Sequence, residues 1–380
     1  MAVSPIGRLA LAAHKKIKGK ISIIPKASLR TRQDLNTYYT PGVAAVSTYL
    51  AAHPAQTAAY TMKGNTVAVI SDGSAVLGLG NIGPEGALPV MEGKAMIFRA
   101  MAGIDAFPIV LATQDTEKII ETIIAISPGL GGINLEDIAA PRCFEIEWRL
   151  RQQLSIPVFH DDQHGTAMVV LAGLINALKV VRKNLLAARI VISGVGAAGQ
   201  AIAELLLKAG AVNIILVDSR GIVSRERQDL DEHKKRLLKL TNPAHVYGGL
   251  SEALLGADVF IGVSKAGLLE SSQVRTMAPA AIIFALANPI PEIMPQLAKR
   301  AGAAVIATGR SDFPNQLNNS LGFPGIFRGA LDNGVREITD AMLIRAARNV
   351  AGLIARPTAE KIIPDMFDKR VVPAVAKAIR

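Results

Sequence analysis

The sequence predicts an α/β protein of two units, each built on a parallel sheet, over residues 1–165 and 166–380. Three observations carry this. Short apolar runs at 67–70, 107–111, 132–135 and 156–159 alternate with helical stretches, the pattern of parallel strands covered on both faces. In the second half a strand, a glycine-rich turn, a helix, another strand and an acid follow one another. A chain of 380 residues is long for one hydrophobic core and comfortable for two.

Composition narrows the possible partners. The formal net charge is +11, but aromatic residues make up only 4% and the Lys/Arg runs are short, which argues against nucleic acid and for small anions such as carboxylates and phosphates. The longest apolar stretch, 168–178, contains Asn176 and ends at Lys179, short of the roughly 20 residues of a membrane span. No membrane partner is expected. The basic residues Lys15, Lys16, Lys18 and Lys20 follow the first apolar patch rather than precede it, opposite to a signal peptide. A single cysteine, Cys143, excludes an intramolecular disulfide, fits a cytoplasmic protein and reads as a small core residue.

Taken in order, residues 1–20 read as a basic amphipathic helix whose Ile6, Leu9, Leu11 and Ile17 are candidate contacts for another subunit. Residues 21–25 are extended. A helix starts near Thr31, with Asp34 in its first turn, and breaks at Thr40-Pro41, because a residue before proline is pushed out of helical geometry. The four apolar runs follow, each with polar residues just past it: Ser71-Asp72, Gln114-Asp115, Glu136-Asp137 and His160-Asp161-Asp162. Parallel sheets bind ligands beyond the carboxyl ends of their strands, so these four ends are expected at one crevice. Carboxylates gathered where buried strands stop must be solvated, paired or bound to a cation, and 134–166 reads as a divalent-metal site. Lys94 lies on a helix that starts beyond the glycines of 78–86.

The second half opens with strand 189–193, then Gly194, Val195, Gly196, Ala197, Ala198 and Gly199, a helix, strand 213–217 and Asp218. Glycines at these offsets, in this context, form the dinucleotide fingerprint of a Rossmann-type sheet: a tight turn, a helix start facing the pyrophosphate, and an acid for the adenosine ribose. Further strands are expected at 258–263, 282–287 and 304–307, a helix at 338–354, and a final helical segment at 358–380 packing on the first unit. Asn288 follows a strand and Asn318-Asn319 precede Phe323-Pro324-Gly325; amides so placed can hold a carboxylate or carboxamide.

Several separated segments, in order, resemble the malic enzymes of the short bacterial type over almost the whole chain: Tyr39-Thr40-Pro41-Gly42, 77–83, Met91-Glu92-Gly93-Lys94, Asn134-Leu135-Glu136-Asp137, 159–166, Ala287-Asn288-Pro289 and 318–327. The resemblance implies oxidative decarboxylation of (S)-malate to pyruvate and carbon dioxide with NAD or NADP, and a homodimer or higher homo-oligomer. It implies Glu136, Asp137 and Asp162 as ligands of Mg²⁺ or Mn²⁺, Lys94 as general base, Tyr39 as general acid and Asp161 as the partner of Lys94. Asn288 and Asn319 would hold the substrate carboxylate, with Asn288 also beside the nicotinamide. As a base near neutral pH, Lys94 needs its pKa lowered by the nearby metal and partial burial. Ala75 stands where large-subunit relatives carry a substrate-binding arginine. Two other readings use the same scaffold, an oxaloacetate decarboxylase and a malolactic-type enzyme; a third is a non-catalytic NAD(P)-sensing regulator. For the cofactor, the charge of Asp218 favours NAD, against the offset of Arg220, Arg225 and Arg227.

Overall fold

The computed structural model describes residues 5–76 and 78–380, so Leu77 of the 77–83 segment and residues 1–4 lie outside it. Two sheets organise the chain. The first is wholly parallel, in the order β2-β1-β3-β4, with β1 at Thr66–Ser71, β2 at Asp105–Val110, β3 at Gly132–Leu135 and β4 at Val158–His160. Every residue of β1 and β3 is buried, as expected for strands covered on both faces.

The second sheet has the order β10-β9-β8-β5-β6-β7. Its strands are β5 Arg189–Ser193, β6 Asn213–Asp218, β7 Gly221–Ile222, β8 Val259–Gly262, β9 Ile282–Ala285 and β10 Val305–Thr308. All pairings are parallel except β6 with β7, a short hairpin that the apolar pattern does not announce. Strand order reverses beside β5, between β6 on one side and β8 on the other, which opens a crevice at the carboxyl end of β5.

Helices α1 Pro5–Ile17, α2 Arg32–Tyr38 and α3 Gly42–Ala52 precede the first sheet. Thr31 and Asp34 cap α2 reciprocally, the Thr31 hydroxyl accepting from Asp34 N at 3.0 Å and the Asp34 carboxylate from Thr31 N at 3.0 Å. Among the described residues, α1, α2 and α3 bury none of their own. Ile6, Leu9, Leu11, Ile17, Ile23, Ile24 and Leu29 are all exposed.

The first sheet is flanked by α4 Gly83–Ala102, α5 Thr116–Ile126 and α6 Arg142–Gln153. A five-residue π-turn, Asp161–Gly165, leads without a break into α7 Thr166–Val181. The stretch Asp161–Val181 has the length and apolar composition of a membrane span, beyond the 168–178 limit read from the sequence, yet it is mostly buried inside the fold. The later helices are α8 Ala197–Lys208, α9 Glu232–Leu238, α10 Phe323–Asn333, α11 Asp340–Gly352 and α12 Val371–Ala376, and α7 packs against α8 and α11. Buried Asn176 on α7 donates to Ala351 O and Ile362 O, both at 2.9 Å, fixing α11 and the C-terminal segment to the same helix.

The last segment departs from expectation. Only 371–376 is helical, and it packs on α10 rather than on the first unit, since Pro364 has no amide hydrogen to continue a helix. Two glycines of α10 make the seat: a Cβ at Gly325 would lie 2.6 Å from Val375 Cβ, and one at Gly329 would lie 2.5 Å from Ala376 O. The opposite face of α10 reaches the first unit through Phe98, whose ring centroid lies 4.7 Å from Phe323 and 5.5 Å from Phe327.

Gly329→Val is expected to cost about 1–3 kcal/mol through overpacking against α12, a loss of several degrees in Tm by calorimetry. Gly352→Ala, where nothing lies within 4 Å of an added Cβ, is expected to be neutral or to stabilise by up to about 1 kcal/mol.

Candidate active site and metal centre

A cleft of about 680 Å³ lies between the two sheets, lined by Lys94, Glu136, Asp137 and Asp162 from the first half and by Gly196, Ala197, Ala198, Asn288, Asn319 and Phe323 from the second. Strand order explains the first group. β1 and β3 are central, so the turn after β3 delivers Glu136 and Asp137 to the cleft, and β4 beside it delivers the π-turn with Asp161 and Asp162. The polar residues past the other two strands do not open there as expected, although Ala75, past β1, lines the cleft. β2 lies at the edge away from β3 and β4, and Gln114 instead exchanges hydrogen bonds with Asn81 while Asp115 caps α5. Asp72 at the end of β1 is consumed by a buried pair with Arg142, at 2.9 and 3.1 Å.

Oxygens of Glu136, Asp137 and Asp162 lie within 4.8 Å of one another. Each acid is held. Asn134 Nδ2 donates to Glu136 at 3.0 Å, and Asp137 N donates to Asp162 Oδ2 at 2.8 Å, with Asp137 in the left-handed region at φ 53°. The tight π-turn requires Gly165, because a Cβ there would lie 1.8 Å from Asp161 Oδ1. Lys94 Nζ reaches Glu136 Oε1 at 2.8 Å, forms an ion pair with Asp161, and sits 4.5 Å from the centroid of Phe323. An all-oxygen set of three carboxylates with one lysine fits a hard divalent cation, Mg²⁺ or Mn²⁺.

Burial alone does not lower the Lys94 pKa. Burial works to lower the Lys94 pKa, but Asp161, Glu136 and Asp162 outweigh it and hold the ammonium above its ordinary range. Burial, then Asp162, raise Glu136 well above the usual carboxylate range, and burial, opposed by Lys94, brings Asp161 to about 6. In this arrangement Lys94 is therefore an acid-stabilised cation, and its use as a base depends on positive charge arriving at the carboxylates. Burial, then Glu147 and Asp162, push the Cys143 thiol up to about 12, in keeping with an inert core residue.

Several partners escaped sequence reasoning. Glu147 is buried on α6 and accepts from His160 N at 3.0 Å, from Gln163 Nε2 at 3.3 Å and from His164 Nε2 at 2.9 Å, bracing the π-turn from behind. The signal was its place on the helix face of Cys143, Ile146 and Leu150, where an acid needs a partner. Asn318, which also lines the cleft, and Phe323 were noted only as neighbours in a matching segment. On the nucleotide side, Gly194 has φ 104° and a Cβ at Gly199 would lie 1.8 Å from Gly194 O, so both positions require glycine; Val195 is buried beneath them. Asp218 and Tyr39 do not line the cleft. Tyr39 caps the end of α2 and is 64% exposed.

A dinucleotide-type sheet facing a cleft with acids and a lysine places the chain in the class of NAD(P)-binding α/β enzymes. Family models described as the malic enzyme N-terminal domain and the malic enzyme NAD binding domain match residues 18–151 and 163–379. Over 365 residues the chain is 54% identical to the NAD-dependent malic enzyme of Geobacillus stearothermophilus, covering 96% of this chain and 76% of that one. Over 373 residues it is 52% identical to the bifunctional malic/malolactic enzyme of Bacillus subtilis, covering 97% and 91%. The crystal structure of the NAD-dependent malic enzyme of Thermotoga maritima superposes with a TM-score of 0.94 at 49% identity, covering 97% and 98%. The matches also include NADP-dependent malic enzymes. The chain belongs to the malic enzyme family.

Metal affinity is expected to fall as the pH is lowered, because burial, then Asp162, raise Glu136 well above the usual carboxylate range and protons compete with the cation for its oxygens. Titration calorimetry with Mn²⁺ across a pH series reads this, and a Glu136→Gln chain that keeps the wild-type affinity would remove Glu136 from the ligand set.

Proposed function

We propose that the chain oxidatively decarboxylates (S)-malate to pyruvate and carbon dioxide while reducing NAD or NADP. The observation that carries this is Lys94, paired with Asp161 and Glu136, in the same cleft as the carboxylate trio and the glycine turn. Residues 1–165 form the metal and substrate unit, ending with the π-turn, and 166–380 the nucleotide unit. Glu136, Asp137 and Asp162 would hold Mg²⁺ or Mn²⁺, which would supply Lewis-acid stabilisation of developing oxygen charge.

The side chains do the rest. Lys94 takes the proton of the C2 hydroxyl as hydride leaves C2, and Asp161 keeps its Nζ oriented. Asn288 and Asn319 hold the substrate carboxylate, with Asn288 beside the nicotinamide. Phe323 covers Lys94 and limits water around it. Tyr39 returns a proton to C3 of the enolate. It does so from a second copy of the chain, since within its own chain Tyr39 is exposed on an arm whose apolar side chains have no cover.

A malolactic-type reaction is the second reading, favoured by the likeness to a bifunctional relative; an oxaloacetate decarboxylase would use the same residues. Reduced nicotinamide and pyruvate formed together from (S)-malate and Mn²⁺, and abolished by chelator, support the malic reaction. Lactate without net reduction of the nucleotide points to the second reading. A nucleotide sensor without turnover leaves the acids and Lys94 without a purpose.

Lys94→Ala is expected to lower turnover by at least ~10²-fold, as for loss of a general base. Equal amounts of Lys94→Ala and Tyr39→Phe chains, each nearly inactive alone, should recover about one quarter of wild-type activity after subunit exchange, because mixed dimers rebuild one intact site. No recovery after demonstrated exchange would place Tyr39 in the site of its own chain.

A further inference from the structure

Asp218 ends β6 where a dinucleotide-binding sheet meets the adenosine ribose, and the sequence assigns it to the ribose hydroxyls. In the fold its oxygens are already engaged. An ionised carboxylate offers about four acceptor positions, and four donors point at this one. Oδ1 accepts from Arg220 N at 2.9 Å and Arg227 Nη1 at 2.7 Å, and Oδ2 from Arg227 Nη2 at 3.1 Å and Lys234 Nζ at 2.8 Å. A ribose hydroxyl can bind Asp218 only by displacing a cation.

The cations are built in. The side chains of Arg227 and Lys234 are 13% and 19% exposed, and Arg227 is fixed a second time by Asp229, with Nε at 2.9 Å and Nη2 at 2.6 Å. Arg220 Nη1 joins Asp229 at 2.8 Å, and Arg225 stands exposed at the rim. Glu226 and Asp231 lie on the same loop, Asp231 3.8 Å from Lys234. The direct partners of Asp218 and Asp229 are thus three cations for two acids, ordered before any ligand arrives, with a guanidinium whose fork matches phosphate oxygens.

We propose that Arg227 and Lys234 receive a 2′-phosphate on the adenosine ribose, taking its oxygens in place of those of Asp218. The chain then accepts the 2′-phosphorylated dinucleotide alongside the unphosphorylated one, against the preference for NAD that the charge of Asp218 alone would set. This rests on the second unit being the nucleotide site.

The test is calorimetric titration of the full chain with ADP-ribose and with its 2′-phosphorylated form. The two dissociation constants are expected to agree within about tenfold. Lys234→Ala should move their ratio at least ~10-fold against the phosphorylated ligand, and Asp218→Asn, which frees both cations, should move it at least ~10-fold in its favour. A wild-type preference for ADP-ribose beyond tenfold, or a ratio that neither variant moves, overturns the inference while the nucleotide site stands. If neither ligand binds, both readings fall together.

Discussion

The structure depends on a buried imbalance of charge. Glu136, Asp137 and Asp161 are buried with Asp162 beside them, and Lys94 is the cation set directly among them. Each ion taken from water costs several kcal/mol unless well paired. The surrounding fold holds the acids together against their repulsion. Asn134 and Asp137 N spend hydrogen bonds on Glu136 and Asp162, Glu147 braces the turn from behind, and Gly165 gives the turn room to close. Phe323 reaches across from the other half to cover the lysine. The site carries more negative charge than Lys94 balances, the condition under which a divalent cation binds; until such a charge arrives, the acids keep the proton on Lys94.

Much of this was legible in the sequence where cause and signal are local. Strands 67–70 and 132–135 announce themselves as unbroken apolar runs, and the acids of β3 and β4 stand next to theirs in the chain. The glycine turn at 194–199 is dictated by close backbone approach, which leaves a pattern in residue type. What failed was whatever depends on neighbours distant in sequence. Gln114 and Asp115 look like Glu136 and Asp137 until the sheet order puts β2 at the edge opposite β4, away from the acids. Lys94 was expected to lose its proton through a nearby cation and partial burial; that burial alone is outweighed by acids arriving from β3 and β4 shows only in the fold. Glu147 is invisible as a brace until the π-turn is seen above it, and the seat that Gly325 and Gly329 provide for 371–376 shows only once α10 and α12 are packed.

The arm of α1 to α3 shows a different economy. Its capped helix and exposed apolar side chains are locally well formed, yet it makes few attachments to its own chain, among them Lys20 Nζ to Pro89 O at 2.5 Å. An isolated helix of this length has little stability in water, so the arm gains most of its order from what it lies against. The core needs none of it, since α1 to α3 bury nothing there.

The continuity of 161–181 has a consequence for motion. Because the acidic turn runs without a break into the most deeply buried helix, it cannot open as a separate unit; its amides share the protection of the core against hydrogen exchange, with opening close to global unfolding. Asp161 and Asp162 are thereby anchored to a buried helix, and mobility that turnover requires falls to the other walls of the cleft.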